Sequence, residues 1–387
     1  MGSFRVLKKL LSVLLALLFL PASARAALEE GAPFALETPS YILMEASTGS
    51  VIFEKNADQP RPVASITKLM TILLALEALQ MGTISPGDMV MVSREAAGMG
   101  GSQALLDAGS SYRLEELLKS AIIASANDSA VALAEHIAGT EQNFVGRMNT
   151  RARELELTGT AYKNATGLPA QGQYTTARDV ANLSREVAKH PLYFKYSVIW
   201  MDTVEHKGGR ITDLTNTNRL VRFYEGCDGF KTGSTNEAKY CISATAQKDG
   251  MRLIAVVLGT PASQTRFNEA RQILEYGFAS YRLFSVCGKG DRLGMRVAVT
   301  RGGTDAVDVA AGEGMTLLLR KGEEASISLE VALPEAVEAP ITRGDVLGEV
   351  RVLKGGQRVG TLPAVAGSDV RLPGYLEALL RILRGWQ

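Results

Sequence analysis

The spacing of hydrophobic positions changes from one segment of the chain to the next. Two short apolar runs, residues 41–44 and 50–53, are separated by a turn with Gly49, a pattern typical of two joined strands. Apolar residues then recur every three or four positions over 66–79 and again over 114–122. This spacing predicts two helices, each with one buried face.

The middle of the chain returns to strand-like runs. Residues 241–246 and 253–258 are rich in β-forming side chains and are joined through Lys-Asp-Gly at 248–250, which favours a hairpin. Helical spacing follows over 266–281, so this helix is expected to pack on the sheet. We therefore predict an α/β domain over residues 27–282, with an antiparallel sheet and helices packed on it.

After Cys287 the chain consists of short β-type runs between glycine-rich breaks. These runs lie at 295–300, 315–319, 326–333 and 346–353. They predict a small all-β domain over residues 283–368.

The last segment, residues 369–387, places leucines and Trp386 at helical spacing beside Arg371, Arg381 and Arg384. It predicts an amphipathic helix that lies in a membrane interface. The alternative is a helix packed on the β domain.

The N-terminus has the pattern of an export signal. Basic residues precede an apolar run at 10–20, and small residues follow, ending at Ala26. A retained membrane anchor would need about 20 apolar residues, and this run is shorter. We expect residues 1–26 to be a cleaved signal peptide and the mature protein to act outside the cytoplasm.

Composition excludes some classes of protein and leaves one question open. The 387 residues carry 42 basic and 41 acidic side chains, without the basic excess of a nucleic-acid-binding protein. The three cysteines lack the spacing of zinc pairs, and no metal cluster is visible. Cys227 and Cys241 flank the predicted strand pair, so they form either a disulfide or two half-buried thiols.

Three short motifs carry the candidate chemistry. They are Ser-Ile-Thr-Lys at 65–68, Ser-Ala-Asn at 125–127 and Lys-Thr-Gly at 231–233. Residues three apart on a helix share a face, so Lys68 is expected beside the hydroxyl of Ser65. A serine needs a base to become a nucleophile, and a lysine serves when burial and a neighbouring cation, here Lys231, lower its pKa.

The second and third motifs predict proton transfer and substrate binding. Ser125 is expected to relay a proton, and Asn127 to hold Lys68 or a substrate amide, although this segment is also good helix-capping material. Lys231 and Thr232 are expected to bind a substrate carboxylate from an edge strand, where Gly233 allows close approach. The backbone amides of Ser65 and Ser234 are candidates for an oxyanion hole.

A serine–histidine–aspartate triad is disfavoured, because the chain has only three histidines. Around Ser65 there is also no Gly-x-Ser-x-Gly elbow.

The three motifs together resemble those of penicillin-binding proteins and serine β-lactamases. Residues 41–44, 164–168 and 228–230 add a likeness to the low-molecular-mass D-alanyl-D-alanine carboxypeptidases. The resemblance implies a transpeptidase-like α/β domain, in which an antiparallel sheet is flanked by helices and joined by a helical subdomain, then a small all-β domain and a C-terminal membrane helix. It also implies acylation of Ser65 by wall peptides ending in D-Ala-D-Ala, or by β-lactams, without a cofactor. Arg266 matches the family's carboxylate-binding arginine, or is a surface residue that begins its helix.

Three other functions are alternatives to the carboxypeptidase. A DD-endopeptidase would differ only in how its cleft accepts the acyl-acceptor side of a cross-link. A class A β-lactamase would need a glutamate on a loop, and the sequence has no Asp or Glu between Leu157 and Arg178. A non-catalytic wall-peptide binder would be expected to have lost Ser65 or Lys68.

Overall fold

The computed structural model describes residues 29–375, 377 and 379. It forms two compact units, one spanning Leu28–Arg282 and one containing the residues from Leu283 onward. The predicted signal peptide lies outside the described residues, as does most of the predicted C-terminal helix. Within the described ranges, no helix is both long and apolar enough to span a membrane.

The first unit combines strands and helices. Its elements are β1 (Glu29–Glu30), β2 (Ser40–Glu45), β3 (Val51–Lys55), a 3-10 turn (Ala64–Thr67), α1 (Lys68–Gln80), β4 (Met89–Met91), α2 (Arg94–Ala97), β5 (Ser111–Arg113), α3 (Leu114–Ile123), α4 (Asn127–Ala138), α5 (Glu141–Glu154), α6 (Ala177–Val187), α7 (Pro191–Ser197), β6 (Met201–Glu205), β7 (Ile211–Thr215), α8 (Leu220–Phe223), β8 (Cys227–Thr235), β9 (Lys239–Lys248), β10 (Met251–Thr260) and α9 (Ser263–Ser280).

A six-stranded sheet with the order β1-β3-β2-β10-β9-β8 organises this unit. Its neighbours pair antiparallel, except for β1 and β3, which are parallel. The predicted hairpin at 248–250 is confirmed: Asp249 and Gly250 both have positive φ, at 49° and 78°, as a two-residue type I′ turn requires. Strand β8 lies at one edge of the sheet.

Helices cover both faces of this sheet. Ile42 and Ile254 point to the face that shares a hydrophobic core with Leu69 of α1. On the other face Leu43 and Leu253 meet α9 so closely that a Cβ on Gly277 would lie 2.5 Å from the Leu253 side chain. The predicted packing of α9 on the sheet is confirmed, and the core fixes α1 beneath the sheet.

The structure decides between a disulfide and thiols: the three cysteines are free thiols. Cys227, Cys241 and Cys287 are buried and unbonded to one another. Cys241 pairs with Gly233, whereas Cys227 pairs with Ala246 toward the other end of the same two strands. That register separates the two residues by roughly 17 Å at ordinary strand spacing, far beyond the reach of a disulfide.

The second unit is built from strands. They are β11 (Tyr281–Cys287), β12 (Arg292–Thr300), β13 (Ala306–Ala311), β14 (Met315–Arg320), β15 (Ile327–Ala332), β16 (Ala336–Glu338), β17 (Val346–Lys354) and β18 (Gln357–Ala366), with a 3-10 turn at Glu324–Ser326.

Six of these strands form a sheet ordered β15-β17-β18-β13-β12-β16, while β11 pairs with β14. The predicted fold class is confirmed, but the pattern missed β11, β13, β16 and β18. Strand β13 is short and rich in alanine, and Gly360 and Pro363 interrupt the pattern of β18. Such residues are depleted in strands, so the strand signal was weak.

Candidate active site

Ser65 lies on the 3-10 turn that precedes α1, where two glycines allow other backbone segments to approach it. Ala64, just before it, has a φ of 50°. A Cβ on Gly167, whose own φ is 84°, would lie 2.0 Å from the Ala64 carbonyl oxygen. A Cβ on Gly233 would lie 2.3 Å from the Val63 carbonyl oxygen. The backbone around Ser65 is therefore enclosed by two distant parts of the chain.

Lys68, the first residue of α1, is completely buried and has three oxygen partners. Its Nζ lies 3.0 Å from Ser65 Oγ, 2.5 Å from Asn127 Oδ1 and 2.7 Å from the Thr166 carbonyl oxygen. The amide and carbonyl oxygens can only accept a hydrogen bond, whereas the serine hydroxyl can donate or accept. The predicted contact between Lys68 and Ser65 is present.

The surroundings of Lys68 favour its neutral form. Burial lowers its pKa well below the ordinary value, and the positive charge of Lys231 lowers it further, against a smaller opposite effect of Asp128. A neutral amine has two N–H groups and one lone pair. The N–H groups suit Asn127 Oδ1 and the Thr166 carbonyl, which leaves the lone pair to accept the Ser65 hydroxyl proton.

The second motif contributes one free hydroxyl and one fixed amide. Ser125, between α3 and α4, has a φ of 61°, and its buried Oγ has no hydrogen-bond partner among the described residues. Asn127 begins α4, and its Nδ2 donates to the Gly100 carbonyl at 2.6 Å while its backbone N–H donates to the Ser102 carbonyl at 2.7 Å. This arrangement turns the Asn127 oxygen toward Lys68.

The third motif lies on β8, the edge strand. Lys231 is completely buried, and its Nζ is unpartnered within the described part of the chain. Burial, together with the charge of Arg266, lowers the pKa of Lys231 to about 7. Thr232 is buried beside it, and Ser234 is exposed. Unpaired buried polar atoms are costly, so Lys231 Nζ and Ser125 Oγ indicate a place for a polar ligand.

The role of Gly233 in the structure differs from the predicted one. The position was expected to admit a substrate backbone, but the atoms nearest to a Cβ there belong to the chain itself, including Ser65 N at 3.1 Å. Gly233 therefore lets β8 lie directly against the turn of Ser65. The same contact brings residue 234 of the edge strand close to Ser65.

Arg266 is a buried residue of α9, which excludes the alternative that it is a surface residue. Its Nη1 donates to the Gly233 carbonyl at 3.1 Å and to the Cys241 carbonyl at 3.4 Å. The guanidinium also lies 5.5 Å from the ring centroid of Tyr240. Arg266 thus holds the end of β8 and places a positive charge behind the third motif.

Side chains also fix the start of β8. Tyr193 donates a hydrogen bond to the Phe230 carbonyl at 3.0 Å, and Asn218 donates to the Gly229 carbonyl at 3.0 Å. Arg252 binds both carboxylate oxygens of Asp228 at 2.7 Å. These contacts hold the strand in place ahead of Lys231.

Sequence reasoning assigned no chemistry to several groups at the site. The Thr166 carbonyl binds Lys68, and Gly167 admits the backbone of Ala64. The only signal for these two groups in the sequence is the run at 164–168, which resembles the carboxypeptidase family. The carbonyls of Gly100 and Ser102 carried no signal, because a backbone acceptor is independent of residue type.

Two family models match the chain. The model of D-alanyl-D-alanine carboxypeptidases, peptidase family S11, matches residues 26–262, and the C-terminal domain model of penicillin-binding protein 5 matches residues 281–371. The chain belongs to peptidase family S11. The resemblance inferred from the three motifs is thus confirmed for this S11 peptidase.

Individual relatives match over most of their length. The D-alanyl-D-alanine carboxypeptidase DacF of Bacillus subtilis is 36% identical over 99% of this S11 peptidase and 98% of its own chain. DacC of Escherichia coli is 32% identical over 92% and 90% of the two chains. The crystal structure of penicillin-binding protein 5 from Haemophilus influenzae has a TM-score of 0.77 at 29% identity, covering 88% of this chain and 99% of that one.

Proposed function

We propose that this protein is a serine D-alanyl-D-alanine carboxypeptidase that removes the terminal D-alanine of peptidoglycan stem peptides, with Ser65 as nucleophile and Lys68 as its base. The observation that carries the proposal is the buried Lys68 amine, 3.0 Å from Ser65 Oγ and held by two fixed acceptors. Membership of peptidase family S11 supports the same activity. β-Lactams acylate the same serine.

In the acylation step, the Lys68 amine takes the proton of Ser65 as Oγ attacks the carbonyl carbon of the penultimate D-alanine. The carbonyl oxygen becomes an oxyanion. Its proposed donors are the backbone N–H groups of Ser65 and Ser234, which the close approach at Gly233 favours. Donors of this kind contribute about 3 kcal/mol each to transition-state stabilisation.

The C–N bond to the terminal D-alanine then breaks, and its nitrogen must gain a proton. Ser125 is the proposed relay from Lys68 to this nitrogen, because its buried hydroxyl has no partner of its own in the described chain. The amine leaves and an ester on Ser65 remains. Water then attacks the ester, and Lys68 transfers a proton from this water to Ser65 Oγ. The ester bond breaks and the serine is free again.

The substrate carboxylate is proposed to bind Lys231 and Thr232. Lys231 Nζ is a buried amine without a hydrogen-bond partner among the residues that the structure describes, and a carboxylate satisfies it. Arg266 adds positive charge from behind Gly233. The peptide is proposed to extend along the free edge of β8, where its backbone adds one more strand.

The role of Ser65 is tested by Ser65→Ala. Wild-type protein treated with penicillin should gain one penicilloyl mass, mapped to the peptide containing Ser65, and it should release D-alanine from a peptide ending in D-Ala-D-Ala. The variant should do neither, because it lacks the nucleophile. Mass spectrometry and an assay of free D-alanine measure both results.

Thr235→Ala is a matched control, because it removes a hydroxyl from the last residue of β8, where Oγ1 accepts from the Ala238 N–H at 3.0 Å, without touching the proposed nucleophile or base. Its thermal unfolding should resemble that of Ser65→Ala. An adduct on another residue, or D-alanine release by Ser65→Ala, would refute the assignment. Rapid penicillin turnover would indicate a β-lactamase, and cleavage of cross-linked dimers without D-alanine release would indicate an endopeptidase.

The charge of Lys231 predicts a pH dependence. Its pKa is lowered to about 7, so the free enzyme loses the carboxylate-binding charge as pH rises through that value. The kcat/KM for D-alanine release should therefore fall on the alkaline side. In Lys231→Arg the guanidinium stays charged, so this decline should disappear even where the absolute rate is lower.

The measurement is kcat/KM across the neutral and alkaline range for both enzymes. A decline of equal midpoint in wild type and Lys231→Arg would exclude Lys231 as its source.

We also propose that the protein is exported and acts at the outer face of the cytoplasmic membrane, held there by residues 369–387. The support is the signal pattern at 1–26 and the amphipathic spacing of the tail, which carries Arg371, Arg381 and Arg384 on its polar side. A wall-peptide substrate also lies outside the cytoplasm.

The tail is tested on the full mature chain with vesicles of anionic phospholipid. Wild-type protein should sediment with the vesicles, and Leu380→Glu/Leu383→Glu should not, because charge on the apolar side opposes insertion. Arg381→Lys is the control that keeps the charge and should still bind. Equal sedimentation of wild type and the double variant would show that the tail does not mediate binding.

A further inference from the structure

Asp128, the residue after Asn127, is a completely buried carboxylate whose partners are backbone amides. Oδ1 accepts from the N–H of Ala104 at 3.0 Å and from that of Ser129 at 2.8 Å. Oδ2 accepts from the N–H of Leu106 at 3.1 Å. In the part of the chain that the structure describes, no Lys or Arg forms an ion pair with it, so peptide groups balance its charge.

Two of these amides come from one loop and flank a residue of unusual conformation. Leu105 has a φ of 59°, although its side chain is half exposed. A left-handed residue between two N–H groups turns both toward one point and forms an anion-binding concavity, or nest. In this protein the nest, residues 104–106, binds the carboxylate of Asp128. The contact offsets the conformational cost at Leu105.

The same loop fixes the orientation of Asn127. Its Gly100 carbonyl accepts from Asn127 Nδ2 and its Ser102 carbonyl accepts from the Asn127 backbone. A Cβ on Gly101 would lie 2.9 Å from that Nδ2, so the loop lies directly against the amide. With the amide nitrogen directed at Gly100, the amide oxygen faces Lys68 at 2.5 Å.

We infer that Asp128 is a positioning residue for the acylation of Ser65, because it binds the nest and so holds the loop whose Gly100 carbonyl orients Asn127 toward Lys68. The inference rests on the proposed function for the roles of Ser65 and Lys68. Asp128 itself touches no reacting atom. Its effect passes through one loop and one amide.

A structural role alone would lower stability and leave the acylation chemistry of the folded protein unchanged. A positioning role has a distinct signature in the pH profile. Two charged groups act on the Lys68 amine: Lys231 on β8 lowers its pKa and Asp128 on α4 raises it. The acid limb of the pH profile is the fall in acylation rate as Lys68 becomes protonated. Removing the Asp128 charge lowers the Lys68 pKa and therefore moves this limb to lower pH.

The test is Asp128→Asn in the full mature chain. The second-order rate constant for penicillin acylation of Ser65 is measured across pH by mass spectrometry, at a temperature where every variant is folded. We expect acylation at least about tenfold slower at the pH optimum, because small displacements at a reacting group are costly. The acid limb should also lie at lower pH. The substitution disturbs the nest, because asparagine offers one acceptor oxygen in place of two and turns an NH₂ group toward a backbone N–H.

Asp179→Asn is the matched control. Asp179 is also a buried aspartate that holds a loop, accepting from the Gly159 N–H at 2.9 Å and the Thr160 hydroxyl at 2.6 Å. It has no contact with Asn127 or Lys68. We expect Asp179→Asn to have a lower Tm than wild type but the same acylation rate and the same acid limb. If both variants lose the same acylation rate and the acid limb of Asp128→Asn does not move, Asp128 is a structural residue only.

A pair of variants at Leu105 tests the nest while the carboxylate stays in place. Leu105→Val puts a β-branched side chain at positive φ and strains the nest, whereas Leu105→Gly relieves it. Leu105→Val should acylate more slowly than Leu105→Gly. Wild-type rates in both Asp128→Asn and Leu105→Val would overturn the inference. A wild-type protein that penicillin does not acylate would instead refute the proposed function.

Discussion

The site depends on one buried amine, Lys68 Nζ, and on the three oxygens around it. Burying a charged ammonium costs several kcal/mol, and a neutral amine avoids that cost. The amide oxygen of Asn127 and the carbonyl of Thr166 can only accept hydrogen bonds, so they use the two N–H groups of the neutral form. In the proposed mechanism the lone pair faces Ser65, so that a residue that is ordinarily an acid acts as the base.

The rest of the first unit keeps these atoms at their distances. Helix α1 is fixed in the core beneath the sheet, and β8 and the 166–167 segment approach the Ser65 turn from other parts of the chain. Both approaches depend on glycine, at Gly167 and Gly233, where any side chain would meet backbone. Ala64 and Ser125 adopt positive φ beside the site, a conformational cost that the surrounding contacts must offset.

Much of this was predictable from the sequence, for local reasons. The helical spacing after Ser65 fixes its position relative to Lys68, and the turn at 248–250 fixes the hairpin behind β8. The remaining features depend on contacts between distant segments. Backbone carbonyls such as that of Thr166 leave no mark in residue type, and the separation of Cys227 from Cys241 depends on strand register. The nest at 104–106 likewise appears only when Asp128 meets the loop.

The proposed mechanism requires a neutral Lys68 amine that accepts the Ser65 proton. Nitrogen-15 NMR of lysine-labelled protein measures it directly, with the Lys68 resonance assigned by its loss in Lys68→Arg. This amine should titrate well below the ordinary lysine pKa of about 10.4, and its midpoint should rise when the charge of Lys231 is removed by Lys231→Gln. A Lys68 amine that titrates at the ordinary value, unaffected by Lys231→Gln, would exclude Lys68 as the base for Ser65.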